Sequence, residues 1–222
     1  MNILTKVLTA VSFLFTAYAC TQDAYDKGDG AYSLMQADLV MAYTNSDGLL
    51  DRFVTDDGAA HRLKEPLKNG WMTTPDSAYR AAFYYTKSND GGGTTTIHRM
   101  SRVGVMVPKF ITDMKTDPVG IESAWVSKNG QYLNLGLNLK LGSVTDENVI
   151  QTLGCHIDSL MAFPDSTRAV RLLLYHDQGG VPEYYSQRAF FSIPVKVLAT
   201  DTIHLLINTY SGQVERTFVV ER

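Results

Sequence analysis

From residue 34 to the end of the chain, apolar and polar positions alternate with a period of two, in segments rich in β-branched and aromatic residues. No segment carries a long stripe at helical spacing, so the pattern predicts strands throughout. In the first half they fall at 34–44, 49–55, 60–64, 79–87 and 94–107. Three of the breaks, Asn45-Ser46-Asp47-Gly48, Asp56-Asp57-Gly58 and Asn89-Asp90-Gly91-Gly92-Gly93, are rich in residues that tolerate positive φ and suit hairpins. Five strands with one longer excursion, residues 65–78, predict a small OB-type barrel in which a turn-rich segment holding Trp71 replaces the usual helix.

The pattern breaks at Met114-Lys115-Thr116-Asp117-Pro118 and then resumes, with strands predicted at 119–127, 131–141, 149–157, 168–176, 184–193, 201–210 and 214–221. In 131–141, Leu133, Leu135, Leu137, Leu139 and Leu141 alternate with polar residues and glycine, which predicts one buried face and one wet face. Seven short strands in about a hundred residues, the last two joined by Tyr210-Ser211-Gly212-Gln213, predict an immunoglobulin-like β-sandwich. The expected fold class is therefore all-β, with an OB-like barrel over 32–113 and a β-sandwich over 117–222.

The N-terminal segment has a different pattern. Lys6 precedes a nearly continuous apolar run, residues 7–17, which Tyr18-Ala19-Cys20 closes. That run is too short for the ~20 residues of a membrane-spanning helix and has the form of a secretory signal. The small residue directly before Cys20 is the pattern of a bacterial lipoprotein signal, so 1–19 is expected to be removed and Cys20 to carry the lipid. Several acyl chains hold a protein on a membrane where one holds it only marginally. Ordinary secretory cleavage, with Cys20 left as a thiol, is the alternative. Residues 20–31 read as a polar tether, with acidic residues Asp23, Asp26 and Asp29. The expected location is the outer membrane, lipid-anchored and surface-exposed.

Composition narrows the partners. Twenty basic and twenty-three acidic residues give a net charge of −3, which argues against nucleic acid. The sequence contains no His-Glu-x-x-His, Cys-x-x-Cys or Gly-x-Ser-x-Gly, and its triple glycine lies between strands rather than before a helix. His61, His98, His156, His176 and His204 are scattered, so no metal site, no cofactor and no enzymatic activity are expected. Asp56-Asp57 and Asp146-Glu147 read as solvated turns, since each supplies too few oxygens for a calcium ion. Cys155 shares a strand face with Leu153 and Ile157 and reads as a core residue, with His156 on the opposite face.

Tyr84-Tyr85 and Tyr184-Tyr185 each place one ring on either side of a strand, one for the core and one for a binding surface. His98, Arg99 and Arg102, with Tyr84 or Tyr85, form the candidate binding patch.

Several short stretches carry a family resemblance through their order and spacing. They are Cys20 with its acidic tether, Asp29 to Leu34, Asp56-Asp57-Gly58, Tyr79-Arg80 to Tyr84-Tyr85, and Asp117-Pro118-Val119. In the second half they are Ala124-Trp125-Val126-Ser127, Tyr132-Leu133-Asn134-Leu135 and Leu174-Tyr175-His176. Together these stretches resemble the NigD-like lipoproteins, from whose pattern the chain departs at Ala31, inserted before Tyr-Ser-Leu, and at Asp76-Ser77-Ala78. The resemblance implies an N-terminal OB domain and a C-terminal β-sandwich. It offers no catalytic residues, and its one functional hint is an immunity role inferred from gene context. The reading is a non-enzymatic envelope lipoprotein, a binding or immunity-like accessory protein with a protein partner. A glycan-binding surface lipoprotein is the alternative, and a hydrolase would need an activated nucleophile or acid–base pair that the sequence does not display.

Overall fold

The computed structural model describes residues 34–87 and 94–220. Its first five strands, β1 (Gln36–Thr44), β2 (Leu50–Thr55), β3 (Ala60–Leu67), β4 (Ala78–Lys87) and β5 (Thr94–Arg102), close into a barrel in the order β1-β2-β3-β5-β4. Alternation fills its interior. Val40, Ala42, Phe53, Ala81, Phe83 and Tyr85 are buried, and the Phe53 ring stands edge-on to Phe83 at 5.2 Å and to Tyr85 at 5.0 Å. The turn after β1 needs its glycine. Gly48 has φ +72, and a Cβ there would sit 2.5 Å from the Thr73 carbonyl oxygen.

The excursion between β3 and β4 has no helix. It contributes Met72 to the barrel core and Trp71, whose ring meets Tyr79 edge-on at 6.0 Å.

The strand predicted over 94–107 is in fact two. β5 ends at Arg102, Val103 turns into the contact between barrel and sandwich, and β6 (Gly104–Val105) already belongs to the sandwich. The seven predicted sandwich strands follow as β7 (Gly120–Val126), β8 (Tyr132–Leu141), β9 (Thr152–Ala162), β10 (Arg168–Asp177), β11 (Tyr185–Pro194), β12 (Thr202–Thr209) and β13 (Gly212–Val219). One sheet runs β6-β11-β8-β7 and the other β13-β12-β10-β9. The core between them is built on Leu133, Leu135 and Leu137 from one sheet and Val170, Leu172, Ile203 and Leu205 from the other, all fully buried. Barrel and sandwich form one compact unit from Gln36 onward.

Two expectations are corrected here. The outer face of β8 is not wet along its length, because Asn134 is fully buried and Gly136 is buried beside Ser123 and Phe190. β9 starts later and runs further than 149–157. An Asx turn, in which the Asn148 amide donates to Asp146 Oδ1 at 2.9 Å, delays its start, and pairing with β10 continues to Ala162.

Candidate functional site

The two domains are joined through Arg80 of β4. Its neighbours Tyr79 and Ala81 belong with the barrel core, so alternation points the guanidinium outward, at the sandwich. Its Nη1 and Nη2 donate to the two carboxylate oxygens of Asp56 at 2.6 and 2.7 Å. Nε donates to Ser192 Oγ at 3.0 Å, and Nη2 also to Asn134 Oδ1 at 3.0 Å. The Ser192 hydroxyl donates to Asn134 Oδ1 at 2.7 Å, and the Asn134 amide donates to Asp56 Oδ2 at 3.0 Å. The Tyr132 ring lies 4.2 Å from the guanidinium carbon. Every member of this buried network is hydrogen-bonded, the condition under which such a group is tolerated. Asp56 is therefore no solvated turn residue, but the partner of a buried cation.

Beside this network lies an open cleft of about 440 Å³, which Asp56 also lines. Its barrel wall is Leu39, Ala82 and Tyr84, and its sandwich wall is Trp125 and Phe190. Trp125 remains 36% exposed, enough to meet a ligand, and its ring stands edge-on to Phe190 at 6.4 Å. Arg188 lies over the Phe190 ring at 4.7 Å and pairs with Glu122 at 2.8 Å. Lys128, Asp38 and Asp57 add charge of both signs.

A second cavity, about 370 Å³, opens at the barrel mouth and shares Ala37, Asp38 and Asp57 with the first. Here the Tyr85 hydroxyl donates to Asp38 Oδ2 at 2.8 Å. Burial, then this carboxylate, raises the Tyr85 pKa above the ordinary phenol value. The Thr55 hydroxyl donates to Asp57 Oδ1 and the Ala59 amide to the same oxygen at 3.2 Å. These bonds, Thr55 first, hold Asp57 below the usual carboxylate range. His61 is 8% exposed, stacks on Phe53 at 4.8 Å, and its Nε2 has no hydrogen-bond partner. Burial pushes its pKa down, so the ring is neutral at pH 7.

The predicted patch is divided. Tyr84 and Arg99 are cross-strand partners, with Tyr84 half-buried in the cleft. Tyr85 is 1% exposed and reaches the mouth only through its hydroxyl. His98 lies 3.0 Å from the Thr86 hydroxyl, and Arg102 sits opposite Ala81; hydrogen bonding with Thr74 first, and Arg102 only last, holds the Tyr79 phenol below its ordinary value. The 84–85 pair thus splits between core and surface as alternation predicts. Tyr184 and Tyr185 do not, since both are exposed: Tyr184 precedes β11 and Tyr185 is its first residue, at the end of the sheet. Cys20 lies outside the described residues.

Cys155 is buried in the sandwich core, where burial pushes its thiol up to about 12, and His156 faces the other way, its Nδ1 accepting from the Ile111 amide at 2.9 Å. Among the described residues no group of three or more His, Cys, Asp or Glu side chains is disposed to hold a metal ion. Sequence reasoning missed Trp125, Phe190 and Arg188 as cleft residues and Arg80 as the domain link. The available signal was Arg80 itself, a charge set between apolar and aromatic residues in the interior of a strand.

Comparison with known proteins places the second half of the chain. The family model described as the NigD-like C-terminal beta sandwich domain matches residues 105–220. Among solved structures, the chain resembles a NigD-like immunity protein from Bacteroides caccae ATCC 43185 at 23% identity and TM-score 0.64, over 84% of this chain and 97% of that one. It also resembles a protein of unknown function from Bacteroides vulgatus ATCC 8482, at 16% identity and TM-score 0.61, over 84% and 91% of the two chains. A third is a candidate lipoprotein from Bacteroides fragilis NCTC 9343, at 12% identity and TM-score 0.60, over 85% and 98%. At these identities the likeness is one of fold. No curated protein matches the chain.

Proposed function

The chain belongs to the NigD-like family, and from that premise we propose that it is a non-enzymatic, lipid-anchored envelope protein that holds a protein partner in the cleft between its two domains. The observation that carries this reading is the cleft itself. Tyr84, Trp125 and Arg188 are the residue types that dominate protein-binding energetics, and here they border one concave space of about 440 Å³. Charges of both signs at its rim, Asp38 and Asp57 against Lys128 and Arg188, suit a polar, specific interface. Resemblance to an immunity protein and to a candidate lipoprotein supports the same direction. Anchoring through Cys20 at the outer membrane surface is part of the proposal, and mass spectrometry of the mature N-terminus tests it: an unmodified thiol refutes it.

The exposed face of Trp125 beside the Asp38 and Asp57 carboxylates also favours a second reading, a neutral glycan stacked on the indole. One experiment separates the two. A photo-crosslinking residue at position 128 in intact cells is expected to capture one defined protein, to lose it on Trp125→Ala, and to capture nothing when moved to position 219. Retention on a glycan array with no cross-linked protein, or a cross-link only to another copy of this chain, overturns the protein-partner reading.

A further inference from the structure

Strand β1 outruns its neighbour on one side. It pairs with β4 from Gln36 to Tyr43, but with β2 only from Val40, which lies opposite Thr55 at the end of β2. Among the described residues, 36–39 therefore pair with β4 along one edge and with no strand along the other, where Asp57 and Ala59 of the turn line the cavity with them. Both cavities open onto this stretch, meeting at Ala37, Asp38 and Asp57.

Side chains here alternate between the two cavities. Leu39 packs with Ala82, Val103 and Phe190 on the sandwich side, while Asp38 meets Tyr85 at the barrel mouth. A strand laid along the open edge would alternate in the same way, one side chain toward the aromatic cleft and the next toward the mouth. Main-chain hydrogen bonds supply affinity in such strand addition, and pockets for alternate side chains supply specificity. The mouth has a sign. The carboxylates of Asp38 and Asp57 face it from β1 and the β2–β3 turn, against one cation among its lining residues, Lys87 at the exposed end of β4. Opposite charge is what it selects. His61 stays neutral there and does not compete with an incoming cation.

We propose that residues 36–39 accept an added strand from an extended segment of the protein partner, with an apolar or aromatic side chain in the Trp125–Phe190 cleft and a lysine or arginine between Asp38 and Asp57. This rests on the protein-partner reading and states what the partner must present. A glycan would leave the backbone edge unused.

The test uses the full chain, isotope-labelled in detergent micelles, and two blocked pentapeptides, Thr-Phe-Lys-Phe-Thr and Thr-Phe-Glu-Phe-Thr. The lysine peptide is expected to shift the amide signals of Ala37 and Leu39 and to bind about tenfold more tightly than the glutamate peptide. N-methylation of its backbone is expected to abolish binding. Asp38→Lys, and independently Asp57→Lys, should reverse the preference with the amide signals of the sandwich strands unchanged. Equal binding of the two peptides, shifts confined to another sheet edge such as β13, or no binding at millimolar concentration overturns strand addition. If the position-128 cross-link persists in that case, the protein-partner reading stands without it; if the cross-link is absent too, both fall.

Discussion

Asp56→Asn removes the charge opposite Arg80 and changes almost nothing in shape. The Arg80 side chain is 1% exposed and that of Asp56 17%, so water can do little for the stranded guanidinium. Removing one partner of a buried ion pair costs about 3–5 kcal/mol. The contacts that survive, to Ser192, Asn134 and the Tyr132 ring, and the partial exposure of Asp56 put the expected loss at the low end, about 3 kcal/mol. For a chain of this size that lowers the melting temperature by about 6–12 °C.

Arg80→Met is expected to cost a similar amount, and the double variant clearly less than the sum, because the two losses describe one interaction. Urea unfolding followed by tryptophan fluorescence is well suited to the question. The chain has two tryptophans, Trp71 packed on the barrel and Trp125 on β7 of the sandwich, so two single-tryptophan versions report each domain separately. With Asp56 in place the two reporters should unfold together, and Asp56→Asn should separate them. A loss below about 1 kcal/mol, the scale of an exposed ion pair, or strict additivity in the cycle refutes the idea that this network couples the domains.

Three further outcomes are expected. Cys155 should resist a thiol-directed disulfide reagent at pH 8 in the folded protein and react on unfolding, because a thiol pushed up to about 12 holds only about one part in ten thousand as thiolate; rapid native-state modification at Cys155, read by peptide mass spectrometry, would contradict the burial argument. His61 has a folded pKa below its ordinary 6.5, so the unfolded chain binds more protons on acidification; stability from keeping it neutral is present above about pH 6.5 and is lost as pH falls through the lower folded value. His61→Phe, which keeps the stack on Phe53, should flatten that part of the stability–pH curve, and an unchanged slope would count against it. Gly179→Ala should destabilise by more than the about 1–2 kcal/mol of a left-handed conformation alone, since φ is +59 and the new Cβ would sit 2.1 Å from the Ile150 carbonyl oxygen; thermal melting reads it.

The barrel and sandwich were legible because period-two alternation is a local signal. Leu133, Leu135 and Leu137 announce their burial within five residues, and the Asn45 to Gly48 and Asp56 to Gly58 turns announce the hairpins. What alternation cannot carry is which face of a strand meets a second domain. Asn134 looks like a wet-face residue until Arg80, fifty-four positions earlier, is brought to it. Trp125 and Phe190 were hidden for the same reason, since the cleft they form with Tyr84 is assembled from strands of both domains. The end of the barrel was misread because β5 and β6 are nearly continuous in sequence: Arg102, Val103 and Gly104 give no turn signal, yet their hydrogen-bonding partners change from β4 to β11. Conversely, Tyr184 and Tyr185 satisfy the local pattern but lie at the last rung of the β11–β8 ladder, against Leu141, where both rings stay exposed.

That passage from β5 to β6 across a single residue leaves no slack between the domains. The Val103 amide donates to the Arg80 carbonyl at 3.1 Å, and Gly104 lies so close to the Phe191 ring that a Cβ would meet it at 2.6 Å. Clefts between lobes on a flexible linker must be closed by their ligands, and the ordering of the lobes is subtracted from the affinity. Here barrel and sandwich belong to one compact unit, so a segment of the kind proposed would bear the entropic cost of its own straightening and no cost of shutting a hinge.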